Sequence, residues 1–149
     1  MREREFEDNL LFDDAQGSLR RAGRVLRLRR PGGVATVTWK GPPDYAAGVK
    51  SREELELQVS DPDAFERILA GLELRRVFRY QKYRETWVLE GAELVIDETP
   101  IGAFVEIEAP AESIHARAEA LGFSRADYVL ESYVSLFLKT GAKGDMVFP

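Results

Sequence analysis

The chain contains no cysteine and only one histidine, His115. The first absence excludes a disulfide framework, a thiol nucleophile and a cysteine metal site. The second leaves little scope for a histidine-based triad. His115 falls in an expected helix with no nucleophile spaced to pair with it, so it reads as solvent-facing or locally bonded. No apolar run is long enough to cross a bilayer, and the charged opening Met1-Arg2-Glu3-Arg4-Glu5 does not resemble a secretory signal. A cytoplasmic protein without a membrane partner is expected. The Gly-Gly and Gly-Pro steps lack the lysine spacing of a phosphate-binding P-loop, and there is no internal repeat, low-complexity tract or linker.

What is present fits one domain over residues 1–149: 44% of the side chains are hydrophobic, enough for a sizeable core. The formal charge is −5, but the two signs are unevenly placed. Through residue 50 there are ten Lys/Arg against seven Asp/Glu, and afterwards eleven against nineteen. A nucleic-acid binder is usually basic overall, so nucleic acid is not the expected partner. The pattern suits a fold in which basic groups face an anion and carboxylates face its accompanying metal.

Alternation and β-branched or aromatic enrichment predict strands near Glu3–Phe12, Arg24–Arg30, Val34–Lys40, Arg52–Val59, Val77–Leu89, Glu93–Asp97 and Ala103–Glu108. Gly32-Gly33 and Gly91-Ala92 read as two-residue hairpin turns, which makes neighbouring strands antiparallel. Gly41-Pro42-Pro43-Asp44 opens a loop running to about Lys50, expected to be mobile at the rim of a site. Ser60-Asp61-Pro62-Asp63 starts a helix that turns Phe65, Ile68, Leu69 and Leu72 toward the sheet. A second helix is expected over Ala111–Leu121, ending at Gly122. A third is expected from the capping signal Ser124-Arg125-Ala126-Asp127 through about Lys139.

The strongest chemical signal is a set of like-charged pairs two residues apart within the expected strands: Arg27/Arg29, Glu54/Glu56, Lys82/Arg84 and Glu106/Glu108. Period-two alternation puts each pair on one face. One such pair is ordinarily a solvated strand face. Four of them, grouped by sign, point to a ligand, because arginine forks donate to phosphate oxygens and adjacent carboxylates share a divalent cation. A closed or nearly closed antiparallel sheet would turn the charged rows inward and the apolar face outward beneath helices. Oxygen-rich chemistry of this kind suits Mg²⁺ or Mn²⁺. Trp39, Trp87 and the tyrosines read as sheet packing rather than base-stacking surfaces.

The ordered segments Leu11-Phe12-Asp13, Leu26-Arg27-Leu28-Arg29, Thr38-Trp39-Lys40-Gly41-Pro42, Arg52-Glu53-Glu54-Leu55-Glu56, Lys82-Tyr83-Arg84 and Asp97 through Glu108, with a late Ser132-Tyr133, resemble the CYTH family. That family contains class IV adenylate cyclases, thiamine triphosphatases and related triphosphate tunnel metalloenzymes. The resemblance runs from about Phe6 to Phe137. It implies an α+β fold, an antiparallel β-barrel-like triphosphate tunnel with short flanking helices, incomplete here or completed by a partner chain. It implies Arg27, Arg29, Lys40, Lys82 and Arg84 as phosphate-binding cations. Glu54, Glu56, Glu106 and Glu108 are implied as metal-binding carboxylates, and Asp97, Glu106 and Glu108 as the catalytic residues, Asp97 as an additional carboxylate near the metals. Asp97 also reads as an ordinary turn residue ahead of Pro100, and Lys139 and Lys143 as a solvated helix end and tail rather than late phosphate ligands.

The implied ligand is a nucleoside triphosphate or inorganic polyphosphate with Mg²⁺ or Mn²⁺. The implied reaction is conversion of ATP to cyclic AMP and pyrophosphate; the alternatives are hydrolysis of thiamine triphosphate or tripolyphosphate, and binding without turnover. One departure stands out. The family opens with a Glu-x-Glu-x-Lys strand and a helix, whereas here Glu7 stands where the lysine belongs and no helix intervenes. The opening strand and first helix are therefore read as absent, which leaves sheet edges for a second copy to cover and puts metal-dependent catalysis in question.

Overall fold

The computed structural model describes residues 3–30 and 34–149. Seven strands form one antiparallel sheet: β1 Glu5–Asp13, β2 Val25–Arg30, β3 Ala35–Lys40, β4 Glu54–Val59, β5 Arg75–Leu89, β6 Ala92–Thr99 and β7 Gly102–Glu108. Four helices accompany them: α1 Ser18–Arg21, α2 Pro62–Gly71, α3 Ala111–Ala120 and α4 Tyr133–Lys139. The spatial order is β4-β3-β2-β1-β5-β6-β7. Among the described residues nothing pairs β4 with β7, so the sheet is open between those edges. The expected Gly32-Gly33 turn lies outside the described residues. The antiparallel register of β2 on β3, from Val25 opposite Lys40 to Arg29 opposite Thr36, agrees with a hairpin.

Residues directly opposite one another across a ladder share a face, so register decides what each surface carries. On one face of β1 to β3 lie Leu10, Phe12, Leu28, Ala35 and Val37, buried with Leu69 from α2. Each large aliphatic side chain buried here stabilises by about 1.5–3 kcal/mol. Asp61 caps α2 by accepting from the Ala64 amide at 2.9 Å, and Pro62 occupies its first turn. Phe65 and Leu69 reach the sheet as expected, but Ile68 and Leu72 are exposed. The chain reverses after Leu72 through Glu73, at φ 62°, and brings Leu74 into the core in Leu72's stead.

Other expectations need correction. The β5–β6 turn is Glu90-Gly91, not Gly91-Ala92, because Leu89 pairs with Ala92 and Gly91 carries φ 68°. The last expected helix is broken in two. Ser124 and Asp127 form the anticipated reciprocal cap, but on a single 3-10 turn, Arg125–Asp127. Extended chain follows until Ser132 caps α4 by accepting from the Ser135 amide. Helices also do not all lie outside the sheet. Tyr133, Val134 and Phe137 pack on Leu11, Phe78 and Tyr80, which belong to the same face as the charged rows. The final segment adds to this cluster: Met146 is fully buried and bonds both ways to β5, its amide to the Arg79 carbonyl at 3.0 Å and its carbonyl to the Gln81 amide at 2.9 Å. Thus α4 and the C-terminal segment fill one end of the inner face, and the remainder is open and polar.

Candidate functional site

The inner face of the sheet carries the charged rows. Register sets Arg27 opposite Thr38, Lys40 opposite Glu54, Thr38 opposite Glu56, Arg84 opposite Asp97 and Glu93 opposite Glu108. Arg27, Arg29, Lys40, Lys82, Arg84, Glu54, Glu56, Glu106 and Glu108 all line one cavity of about 2360 Å³. The structure therefore brings together nine of the residues singled out in the sequence. Asp97 lies behind them, fully buried in β6 rather than in a turn.

The cations and carboxylates of this face are extensively paired. Arg84 donates Nε to Asp97 Oδ1 at 2.8 Å and Nη2 to Asp97 Oδ2 at 2.6 Å, and Nη2 also reaches Glu106 Oε2 at 2.8 Å. Lys82 Nζ donates to Asp97 Oδ2 at 2.8 Å. Lys40 pairs with Glu54 at 2.7 Å. Burial pushes the Asp97 carboxyl up, but its hydrogen bond from Arg84 and the charges of Lys82 and Arg84 outweigh this and hold it below the usual carboxylate range. Glu108 moves the other way: the side chain is more than half exposed, so its desolvation is only partial, but this raises it, and Glu106, Glu93 and Glu54 add to the rise against the pull of Arg84.

Arg27 differs from its neighbours. It is buried, its Nη2 donates to Thr38 Oγ1 at 3.1 Å and its Nη1 lies 3.5 Å from the Tyr80 hydroxyl. Thr38 Oγ1 in turn donates a hydrogen bond to Glu56 Oε2 at 3.1 Å. The Arg27 Nε has no acceptor, and among the described residues no carboxylate lies within ion-pair distance of this guanidinium. A buried donor left unmet costs about 1–3 kcal/mol, so Arg27 holds unused donor capacity beside the cavity.

Three residues of the site were not assigned a role from the sequence. Glu7, on β1, is buried among Arg29 at 3.1 Å, Lys82 at 3.6 Å and Arg84 at 3.9 Å. Tyr133, from α4, lies with its hydroxyl 2.6 Å from Glu106 Oε1 and 2.9 Å from Asp97 Oδ2. Burial and those two carboxylates drive its phenol well above the ordinary range, so it stays protonated as a donor. Tyr80 supplies the hydroxyl beside Arg27. The alternation of Glu3, Glu5 and Glu7 could have flagged Glu7 as inward-facing, and Ser132-Tyr133 was visible as part of a pattern. Nothing local indicates the partners of either, which lie far along the chain.

The motifs around the site are held by backbone-directed polar groups. Asp13 accepts from the amides of Asp14, Leu19 and Arg20, all within 2.9–3.0 Å, and so anchors α1. Arg52 donates to the carbonyls of Gly41 and Gly23, fixing the start of the loop that reaches Lys50. That loop lies at the cavity as anticipated, and it is tied down by reciprocal Asp44–Ser51 bonds at 2.7 and 2.8 Å. His115 Nε2 reaches the Ala47 carbonyl at 3.1 Å, and its ring stacks on Tyr128, whose hydroxyl is 3.0 Å from Nδ1. His115 thus joins α3 to the loop and makes no contact with the cation rows. Lys139 pairs with Glu131.

Glu54, Glu56, Glu106 and Glu108 are hard oxygen donors of the kind Mg²⁺ and Mn²⁺ prefer. Yet among the described residues no three acidic or histidine side chains converge to hold a metal by themselves. Glu54 is engaged by Lys40, and Glu106 by Arg84 and Tyr133. These residues do not make a metal cage on their own. No helix among the described residues is long and apolar enough to span a membrane.

Comparison with known proteins agrees with this architecture. The CYTH domain model matches residues 2–133. A Methanocaldococcus jannaschii protein provisionally named an adenylate cyclase is 27% identical over 144 residues, spanning 89% of this chain and 82% of that protein. A Vibrio parahaemolyticus structure, also provisionally named an adenylate cyclase, superposes with TM-score 0.79 at 20% identity, over 93% of this chain and 83% of the other. A Pyrococcus horikoshii structure gives TM-score 0.72 at 24% identity, over 92% and 85%. A Hippeastrum protein, provisionally named an adenylyl cyclase and described as having a dominant triphosphatase activity, gives TM-score 0.72 at 20% identity, over 93% and 84%.

Proposed function

The chain belongs to the CYTH domain family, and from that premise we propose that it binds a linear triphosphate with a divalent metal on the inner face of its sheet and acts on the bound phosphates. The observation that carries this reading is the gathering of Arg27, Arg29, Lys40, Lys82 and Arg84 around one cavity, with Arg27 holding an unmet donor. Arginine forks match phosphate oxygens in geometry, and a cavity walled by protein strengthens each interaction relative to water.

The favoured reaction is cyclisation of ATP, in which the ribose 3′-hydroxyl attacks the α-phosphorus and pyrophosphate leaves. The name of the M. jannaschii relative supports it. Hydrolysis at the terminal phosphorus is a second reading, supported by the activity described for the Hippeastrum protein. In either case the cations bind and orient the chain of phosphates and stabilise charge that develops on the leaving group. Asp97 fixes Lys82 and Arg84 in position. Tyr133 holds Glu106 against Arg84. Mg²⁺ or Mn²⁺, when bound with the phosphates, would neutralise part of their charge, and Glu106 and Glu108, with Glu54 and Glu56, are the residues that would complete its coordination.

The test is incubation of the protein with ATP or tripolyphosphate and Mg²⁺ or Mn²⁺, with products separated chromatographically. Cyclic AMP and pyrophosphate from ATP identify the cyclase, and orthophosphate identifies the hydrolase. Either activity should fall at least about 100-fold in Glu106→Gln. Binding without turnover in the parent would leave a polyphosphate-binding module. The edges of β4 and β7, unpaired among the described residues, also suit pairing by a second copy. Sedimentation showing a monomer at high concentration would contradict that assembly.

A further inference from the structure

Glu7 is a buried carboxylate with three cations around it, Arg29, Lys82 and Arg84. It projects from β1, the central strand of the sheet, opposite Lys82 on one neighbour, and its nearest contact is Arg29 on the other at 3.1 Å. Only about 2% of its surface is exposed, so solvent screens these interactions little. Asp97 has a hydrogen-bonding frame from Lys82, Arg84 and Tyr133, whereas among the described residues Glu7 accepts a cationic hydrogen bond from Arg29 Nη1 alone, at 3.1 Å, and sits beyond hydrogen-bond reach at 3.6 Å from Lys82 and 3.9 Å from Arg84. Among the described residues it also accepts a long 3.4 Å approach by Asn9 Nδ2. Glu7 also borders a second, smaller cavity of about 160 Å³, shared with Arg29 and Arg84, so open space adjoins the side chain.

A phosphate reaching Arg29, Lys82 and Arg84 together therefore meets donors already facing a carboxylate. Building on the triphosphate reading, we infer that Glu7 is an internal competitor for the phosphate ligand: in the free protein its carboxylate neutralises the cations that the ligand needs, and the ligand binds by displacing it. A tethered carboxylate competes at an effective concentration in the millimolar range or above, without loss of translational freedom. A ligand prevails by reaching cations that lie outside ion-pair distance of Glu7, namely Lys40, and Arg27 with its unmet Nε. Glu7 thus determines affinity without touching the reacting atoms.

The test is metal-free calorimetric titration of tripolyphosphate at fixed ionic strength into the parent, Glu7→Gln and Glu98→Gln. Glu98 provides a control of equal charge change: it is a solvent-exposed β6 residue paired with Arg4, away from the cation rows. Glu7→Gln is expected to bind about tenfold or more tightly than the parent, with Glu98→Gln within about twofold. Should Glu7→Gln not fold, Glu7→Asp keeps the charge but withdraws it by one methylene, and is expected to gain about threefold. A parent that binds without any gain in the Glu7 variants, or an equal gain in Glu98→Gln, overturns the inference and leaves the functional reading standing. Binding by none of the proteins overturns the inference, and binding by none when the titration is repeated with Mg²⁺ overturns the functional reading as well.

Discussion

Arg84 and Asp97 form a two-point ion pair across β5 and β6, with donor–acceptor distances of 2.8 and 2.6 Å, and the same guanidinium reaches Glu106 on β7 at 2.8 Å. One side chain thus ties together three consecutive strands. Asp97 is fully buried and also accepts from Lys82 and Tyr133, so removing its charge takes the two-point partner from Arg84 and the hydrogen-bonded partner from Lys82. Asp97→Asn should lower stability by about 3 kcal/mol in denaturant unfolding. Glu54→Gln, which breaks a more exposed pair with Lys40, should lower it by less than about 1 kcal/mol.

The carboxylates also set the response to acid. Asp97 is held below its ordinary range in the folded protein. So is Glu7, where burial pushes upward but Lys82, Arg84, Arg29 and Arg27 prevail. Their contribution is present above the unfolded carboxylate pKa of about 4 and is lost as pH falls through the depressed folded values. Thermal unfolding should therefore shift steeply downward on acidification below that point, and the shift should be shallower in Asp97→Asn.

Glu108 has the opposite sign. Its folded carboxyl is raised, so its contribution is full below the unfolded value and is lost as pH rises through the folded one. Glu108→Gln should raise the melting temperature at neutral pH and leave it nearly unchanged in acid.

Much of the fold was legible because period-two alternation is strong wherever one face meets a core. All seven strands stand within a few residues of their expected places, and the paired charges fall on the inner face as that period requires. Other features depend on distant partners. The one-turn helix α1 is too short to show a periodic pattern, and it is specified by Asp13 accepting from amides six and seven residues on. The break before α4 follows from seating Tyr133, Val134 and Phe137 against β5, which a linear capping signal does not encode. Glu7 resembles any charged strand residue until β2 and β5 close around it.

Tyr133 gives a test of how α4 is fixed over the site. Its hydroxyl serves Glu106 and Asp97, and its ring lies 4.8 Å from that of Phe104. Tyr133→Phe keeps the ring contact and removes the donor, so it should cost about 1–3 kcal/mol. Amide exchange in α4 should quicken more than exchange in β1 to β3.

His115 joins α3 to the loop between β3 and β4 through the Ala47 carbonyl. His115→Ala should make protease cleavage near Ala46–Gly48 faster by several-fold, with strand amides as protected as before. Unchanged cleavage would show that the Asp44–Ser51 bonds alone hold the loop.

The central claim is that the inner face is a triphosphate site, and the most direct measurement is calorimetric titration of tripolyphosphate with Mg²⁺ at fixed ionic strength into the parent and the Arg27→Ala/Arg29→Ala double variant. Saturable binding by the parent, lost or weakened at least about 100-fold in a folded double variant, is the expected result. Equal binding by both proteins, or none by the parent, would contradict the account.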